Sequence, residues 1–354
     1  MTRARQQLVS LSDTPWYHLV NRCVRRAYLC GVDSISGNSY EHRREWIEQT
    51  MLKLASVFAV DVAAFAVMSN HYHLVVRVDK ARADRWSDEE VLSRWTQLFS
   101  GPLLLQRYLA EPDEAEPYVL EQVEALAQTY RERLYDLSWF MRVLNETIAR
   151  MANKEDGAKG RFWEGRFKSQ ALLDEQAILS VMAYVDLNPV RARMAEGLED
   201  SQHTSIQRRI QHHQGRLPQP TPLSESPFYE HLTESTQSFF AHMDALPMAP
   251  LMPFTPGDHH SLRAAGIAFA FEDYLEFVDY LGRAVHPNKP GFISGEVPRL
   301  MTQLNMSEQL VEAVCEGRLL KGFGHSIGKA VESGAPKEHR RAPKGQGLAR
   351  QMFA

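Results

Sequence analysis

The sequence has few cysteines, no long apolar run and no excess of basic charge. Its 354 residues include only Cys23, Cys30 and Cys315, too few and too scattered for a disulfide framework or a four-sulfur zinc site, which favours a reducing compartment. No segment reaches the ~18 apolar residues of a membrane helix, and the start MTRARQQL lacks the apolar core of a signal peptide. We therefore expect a cytoplasmic protein with no membrane partner.

The overall charge gives no general reason to expect a nucleic acid partner. Lys and Arg number 40 against 44 Asp and Glu, for a formal net charge of −4, so any nucleic acid site must depend on a local basic patch. An apolar content of 44% is ordinary for a globular protein, and we find no internal repeat. The length is typical of about two domains.

The first 80 residues read as strand, helix and strand. Residues 17–31 alternate loosely between apolar and polar and predict a strand or hairpin, and 41–60 place apolar residues at helical spacing. Residues 61–79 predict either two strands that meet at a turn at 68–70 or one long bent strand. This order favours an α+β or α/β layer over a helical bundle.

The middle of the chain is predicted to be mostly helical. Residues 88–109 and 119–152 show helical patterns on either side of an acidic, proline-bounded loop. The segment GRFWEGRFKS at 160–169 predicts a strand. A helix is expected to begin near Asp174 and to stop at Asn188-Pro189, where proline disfavours continuation.

The last third has a different composition. Dense prolines between 215 and 256 indicate a boundary or an arm that extends across the surface, and we assign 213–260 to it. The remaining 261–354 are predicted to be a helical region with a basic tail, PKEHRRAPKGQGLAR, that could run along DNA. Its two helical patterns are built on Tyr274, Phe277, Val278 and Leu281, and on Leu300, Leu304, Leu310 and Val314.

A pair of histidines lies inside the apolar stretch AFAVMSNHYHLVVRV. On a strand His71 and His73 point to one face, about 6 to 7 Å apart at the backbone, so that both imidazoles could bind one divalent ion. Two core histidines that are satisfied by hydrogen bonds fit the same pattern. Spacing and flanking residues leave both interpretations open.

Two further motifs carry chemistry. Tyr184 and Asn188 lie four residues apart, on one face of the predicted helix, and could be functional or simply a buried tyrosine and an Asn-Pro helix stop. In GRFWEGRFKS basic residues alternate with aromatic ones, which suits phosphate contacts and base stacking on single-stranded nucleic acid but also an ordinary amphipathic strand.

The three motifs NHYHLVV, RFWEGRFKS and AYVDLNPVRA, in this order, together resemble the HUH single-tyrosine transposases, and among them the REP-associated tyrosine transposases of bacteria. The resemblance spans roughly 15–200 and implies a ferredoxin-like antiparallel sheet flanked by helices, followed here by a mainly helical extension. It implies a catalytic domain over 1–212, in which 80–137 is an insertion-like helical stretch.

The resemblance also implies roles for individual residues. It makes His71 and His73 metal ligands, Tyr184 the nucleophile, and Asn188 a third ligand, although related transposases often have the longer glutamine at that position. The metal would be Mg²⁺ or Mn²⁺, and no nucleotide cofactor is needed. We add as candidate DNA contacts Arg161, Trp163, Arg166, Lys168, Arg191 and Arg193.

The resulting expectation is an enzyme that cleaves and rejoins single-stranded DNA at REP-like hairpins through a 5′-phosphotyrosine. The sequence leaves two other functions and two oligomeric states open. The protein could be a DNA-binding regulator on the same fold with little or no turnover, or, with less support, a metal-dependent phosphodiesterase of RNA. It could act as a monomer with the tyrosine in cis or as a homodimer with the tyrosine in trans.

Overall fold

Four of the five strands of the sheet come from the first half of the chain, and the fifth lies near residue 326. The computed structural model describes residues 9–24, 29–33, 37–226, 229–256, 262, 264–285 and 326–327. The strands are β1 (Trp16–Arg22), β2 (Val60–Val67), β3 (His71–Val78), β4 (Lys168–Leu172) and the two-residue β5 (Ser326–Ile327). Their order is β2-β3-β1-β4-β5, antiparallel except for β4 with β5.

Helices cover both faces of this sheet. They are α1 (Arg43–Val57), α2 (Lys80–Arg85), α3 (Asp88–Thr96), α4 (Leu103–Ala110), α5 (Pro117–Leu134), α6 (Leu137–Glu155), α7 (Glu175–Asp186), α8 (Asn188–Arg191), α9 (Ser205–His213), α10 (Glu234–Ala245) and α11 (Phe271–Val285). A β-α-β-β-α-β succession with strand order 2-3-1-4 is the ferredoxin-like arrangement. The predicted α+β fold is confirmed.

Side-chain alternation divides the core into two layers. On one face Tyr17, Leu19, Tyr72 and Leu74 pack under α1 and α6. On the other face Trp16 and Val75 pack under α7, α9 and α11. As predicted, Tyr72 and Leu74 point into a core on the face opposite to His71 and His73.

Helix α7 begins where the sequence predicts and ends differently. The Asp174 carboxylate caps it by accepting from the Ala177 amide at 2.8 Å, a contact typically worth about 1 kcal/mol. Pro189 does not end the helical path. The chain passes through Leu187 in a helical conformation and continues as the short helix α8, with Pro189 near its start, where the missing N–H costs little.

The insertion-like helices α2 to α5 lie on the α1 and α6 side of the sheet. Trp95 of α3 stacks on Tyr130 of α5 with ring centroids 4.4 Å apart. Buried residues of these helices belong to the same core layer as Tyr72 and Leu74. The insertion is therefore separated from α7 by the sheet.

The proline-rich segment forms an arm with regular structure of its own. It contains α10, whose Asp244 is paired with Lys53 of α1 at 3.1 Å. The Met252 amide then donates to the Val62 carbonyl at 2.8 Å, so the arm covers part of the β2 edge. Beyond it α11 packs against α7.

Four predictions on local structure have clear outcomes. The helix at 41–60 is α1, and residues 61–79 form two strands rather than one. The segment at 160–169 is mostly loop, because only Lys168 and Ser169 enter β4. The first C-terminal pattern is α11, with Tyr274, Phe277, Val278 and Leu281 all buried. The second pattern and the basic tail lie outside the described residues.

The described part of the chain contains no helix with the length and hydrophobicity required to traverse a bilayer.

Candidate active site

The predicted site residues meet on the sheet face under α7. His71 and His73 lie on β3 with ring centroids 4.9 Å apart, and the Tyr184 ring lies edge-on to His73 with centroids 5.8 Å apart. Because α7 packs against β2 and β3, the tyrosine of the C-terminal half reaches the histidines of the N-terminal half. The predicted grouping of these three side chains is thus present within a single chain.

A third histidine, His18, joins this cluster. It lies on β1 directly opposite Val75, which makes it the diagonal neighbour of His73 across the strand pair. Its Nε2 shares a hydrogen bond of 2.9 Å with Nδ1 of His73, and the planes of the two rings are nearly parallel. We did not predict this residue, although it stands in an apolar strand segment, WYHLV, as the other two do.

All three imidazoles are neutral near pH 7. Burial lowers the pKa of His18 to about 3, opposed by a hydrogen bond with Gln170. Burial and the Arg22 charge lower the pKa of His71 to about 4. Burial, with contributions from His18, His71 and Arg22, holds the pKa of His73 well below its usual value. Neutral imidazole is the form that binds metal ions.

His71 is oriented by its neighbour. Its Nδ1 donates to the Asn70 side-chain oxygen at 2.6 Å, because an amide oxygen can only accept. The lone pair of the neutral ring is therefore on Nε2. A metal-binding histidine is commonly fixed in this way by a partner on its other nitrogen.

Tyr184 is covered by a cation. The guanidinium of Arg191 lies 4.7 Å from the centroid of the phenol ring. Burial raises the pKa of Tyr184, and the positive charge of Arg191 opposes that rise. The phenol is protonated at neutral pH, and Arg191 is placed to stabilise negative charge on its oxygen.

Asn188 lies one helical turn after Tyr184. It is 8% exposed, and its amide Nδ2 has no hydrogen-bond partner among the described residues. Because α8 nearly continues α7, the residues Tyr184, Asn188 and Arg191 follow one stripe of the helical path. The stripe explains why Arg191, seven residues on, reaches the tyrosine ring.

The ring nitrogens of His71 and His73 and an amide oxygen would form an uncharged, nitrogen-rich ligand set. No group of three His, Cys, Asp or Glu suited to a metal ion occurs in the part of the chain that the structure describes. Two neutral imidazoles and an amide fit Mn²⁺ better than Mg²⁺, which prefers oxygen ligands. The residues present therefore fit a divalent ion that takes few of its ligands from the protein.

Basic residues border the cluster on two sides. Lys168 is exposed and is the first residue of β4. Val20 of β1 pairs in register with both Lys168 and His73, so it lies between them in the sheet. Arg22 pairs in register with His71, and its carbonyl accepts from the Glu164 amide of the loop at 160–167. This loop carries the exposed Arg161 and Arg166.

Arg193 and Trp163, both predicted to contact DNA, differ in solvent exposure. Arg193 is exposed just after α8, in a left-handed conformation with φ 56°. Trp163 is buried, its Nε1 donates to the Asn145 carbonyl at 2.9 Å, and its ring packs on Tyr72 in the core under α6. A tryptophan held in this way cannot stack on a base, so Trp163 is removed from the candidate contacts.

Asp186 has a structural role that the sequence did not reveal. Its buried carboxylate accepts from the Ser205 hydroxyl, from the Ile206 amide at 3.0 Å and from the Tyr274 hydroxyl at 2.7 Å. Burial raises its pKa to about 6, and these hydrogen bonds oppose the rise. The end of the tyrosine helix is thus tied to both α9 and α11.

No family model matches the sequence, and no curated protein matches it. A solved structure described as a REP-associated tyrosine transposase bound to a REP hairpin is similar over 62% of this chain and 89% of that chain, with 15% identity and a TM-score of 0.34.

Proposed function

We propose that this protein is a metal-dependent enzyme that cleaves and rejoins single-stranded DNA at hairpins, with Tyr184 as its nucleophile. The observation that carries the proposal is the contact of Tyr184 with His73, beside His71, on one sheet face of one chain. A phenol next to two neutral imidazoles suits nucleophilic attack on a phosphodiester that is held by a metal ion.

The proposed reaction follows from these groups. A divalent ion bound by His71, His73 and Asn188 would polarise the scissile phosphate and neutralise charge on its oxygens. The Tyr184 oxygen attacks phosphorus, the bond to the 3′ oxygen breaks, and the phenol proton passes to water or to the leaving oxygen. The products are a 5′-phosphotyrosine and a free 3′-hydroxyl, and attack by a 3′-hydroxyl on the phosphotyrosine rejoins the strand.

Arg191 is proposed to act on the nucleophile rather than only on the DNA backbone. Its contact with the Tyr184 ring places a positive charge where the phenolate forms during attack and where it is released during rejoining. The remaining candidate contacts, Arg161, Arg166, Lys168 and Arg193, are exposed cations suited to phosphate groups of the hairpin and its flanks.

The test is the detection of a covalent adduct. A pool of 3′-labelled oligonucleotides, each with a hairpin and randomised single-stranded flanks, is incubated with the protein and Mn²⁺. Because the tyrosine keeps the 5′ phosphate, the 3′ label should remain on the protein after denaturation and disappear after nuclease digestion. EDTA should prevent its formation.

Two variants make the test specific. Tyr184→Phe should abolish the adduct and leave hairpin binding nearly unchanged, whereas Tyr280→Phe, on the partly buried face of α11, should behave as wild type. Full cleavage by Tyr184→Phe would refute the assignment of the nucleophile. If the wild type binds the hairpin without forming any adduct, the result would favour the other candidate function, a DNA-binding regulator with little or no turnover.

A further inference from the structure

The turn that follows α8 puts a side chain where the backbone favours glycine. Helix α8 ends in a Schellman motif, in which the Arg193 amide donates to the Val190 carbonyl at 3.0 Å. The Met194 amide donates to the Pro189 carbonyl at 2.8 Å. This motif places the residue after the C-cap in the left-handed region, and Arg193 takes a φ of 56° there. A side chain in that region brings Cβ close to the following carbonyl oxygen, a contact that glycine avoids.

The described part of the chain gives no structural reason for an arginine at this position. Six glycines in it take a positive φ, and the two other residues that do so are Arg193 and His203. His203 uses its side chain within the fold, since its Nδ1 shares a hydrogen bond of 2.8 Å with the Glu48 carboxylate. The Arg193 side chain is exposed and has no hydrogen bond or ion pair with any residue that the structure describes. For the fold alone, glycine would serve better here.

Arg193 lies between two parts of the candidate active site. Two residues before it, the Arg191 guanidinium covers the Tyr184 ring at 4.7 Å. One residue after it, the Met194 sulfur lies 3.9 Å from the Ser69 hydroxyl oxygen, in the turn just before the histidine strand β3. The chain therefore carries Arg193 at the edge of the site, between the tyrosine and the turn that leads to the histidines.

We propose that Arg193 binds a phosphate group of the single-stranded segment next to the scissile bond and so positions that bond for attack by Tyr184. The inference rests on the proposed function and assigns one residue to one part of its substrate. A guanidinium can donate two parallel hydrogen bonds to a phosphate, which fixes the orientation of the strand as well as its distance. The left-handed conformation is kept at Arg193 because the position carries a charge that glycine cannot supply.

The first experiment tests whether stability and DNA affinity change in opposite directions. Arg193→Gly relieves the left-handed strain and removes the charge. Its melting temperature should rise by about 2 °C, while its affinity for a hairpin oligonucleotide with single-stranded flanks should fall about tenfold. Arg193→Lys should recover part of that affinity, because lysine binds phosphate as a point charge. Arg107→Gln is the matched control, an exposed arginine of α4 on the other side of the sheet, and should bind as the wild type does.

The second experiment locates the contact. The same hairpin without flanks should bind equally to the wild type and to Arg193→Gly, and with saturating flanked oligonucleotide the variant should form the tyrosine adduct more slowly. Equal affinity of the two proteins for the flanked hairpin, an equal loss with both oligonucleotides, or a lower melting temperature of Arg193→Gly would overturn the inference. If Arg193→Gly loses affinity only for the flanked hairpin and the wild type forms no adduct, the phosphate contact stands and the proposed cleavage function fails.

Discussion

Acidification should destabilise this protein strongly, because the folded chain buries three histidines in their neutral form. The unfolded chain takes up a proton at each of them near pH 6.5. In the folded chain these histidines take up a proton only at much lower pH. The pKa is about 3 for His18 and about 4 for His71, and the pKa of His73 also lies well below its usual value. The stability these groups contribute is therefore complete above pH 6.5 and is lost as the pH falls toward 4.

The size of the effect follows from proton linkage. Between pH 7 and pH 5 each histidine should lower the free energy of unfolding by about 2 kcal/mol. Asp186 acts in the opposite direction. Burial raises its pKa to about 6, so as the pH falls the folded chain binds this proton before the unfolded chain does. This binding adds about 1 kcal/mol to the free energy of unfolding between pH 7 and pH 5. The net loss should be about 4 to 5 kcal/mol, a large part of the stability of an ordinary domain.

Urea unfolding of the metal-free protein at several pH values measures this loss. His18→Leu should reduce the loss between pH 7 and pH 5 by about 2 kcal/mol, whatever it does to stability at pH 7. Val75→Ala, which creates a cavity directly opposite His18, should lower stability at both pH values and leave the difference between them unchanged. A wild type that loses less than about 2 kcal/mol would refute the assignment of three neutral buried histidines.

Three further predictions test other parts of the structure. Tyr274→Phe removes the hydroxyl that donates to Asp186 and should lower the free energy of unfolding, measured in urea, by about 1 to 3 kcal/mol. An unchanged free energy of unfolding would show that α11 does not anchor the tyrosine helix. Lys168→Gln and Arg193→Gln should each reduce the salt dependence of hairpin affinity by about one phosphate contact, and an unchanged slope would exclude that residue from the interface. Trp163→Phe loses its hydrogen bond in the core and should lower thermal stability by about 1 kcal/mol without weakening hairpin binding, whereas a marked loss of affinity at unchanged stability would show that the ring contacts DNA.

The chemistry-bearing motifs could be predicted from the sequence because their spacing is local. The two-residue period of a strand places His71 and His73 on one face, and the four-residue period of a helix aligns Tyr184 with Asn188. The capping residue Asp174 likewise marks the start of α7. These features depend only on neighbours along the chain.

Features that depend on distant pairing could not be predicted. His18 and Gln170 are more than 150 residues apart, and only the register between β1 and β4 brings them together. The partners of the Asp186 carboxylate likewise come from other elements, α9 and α11. Trp163 illustrates the opposite error, since a basic and aromatic pattern does not reveal that the Asn145 carbonyl and the Tyr72 ring hold the indole in the core.

The placement of the insertion has an evolutionary consequence. Helices α2 to α5 are attached to the layer under α1 and α6, while Tyr184 and the histidines occupy the opposite side of the sheet. Substitutions on the outer surface of the insertion therefore make no contact with Tyr184 or the histidines. A lineage with this arrangement can vary the outer surface of the insertion, and with it the binding partners of that side, while Tyr184 and the histidines keep their positions.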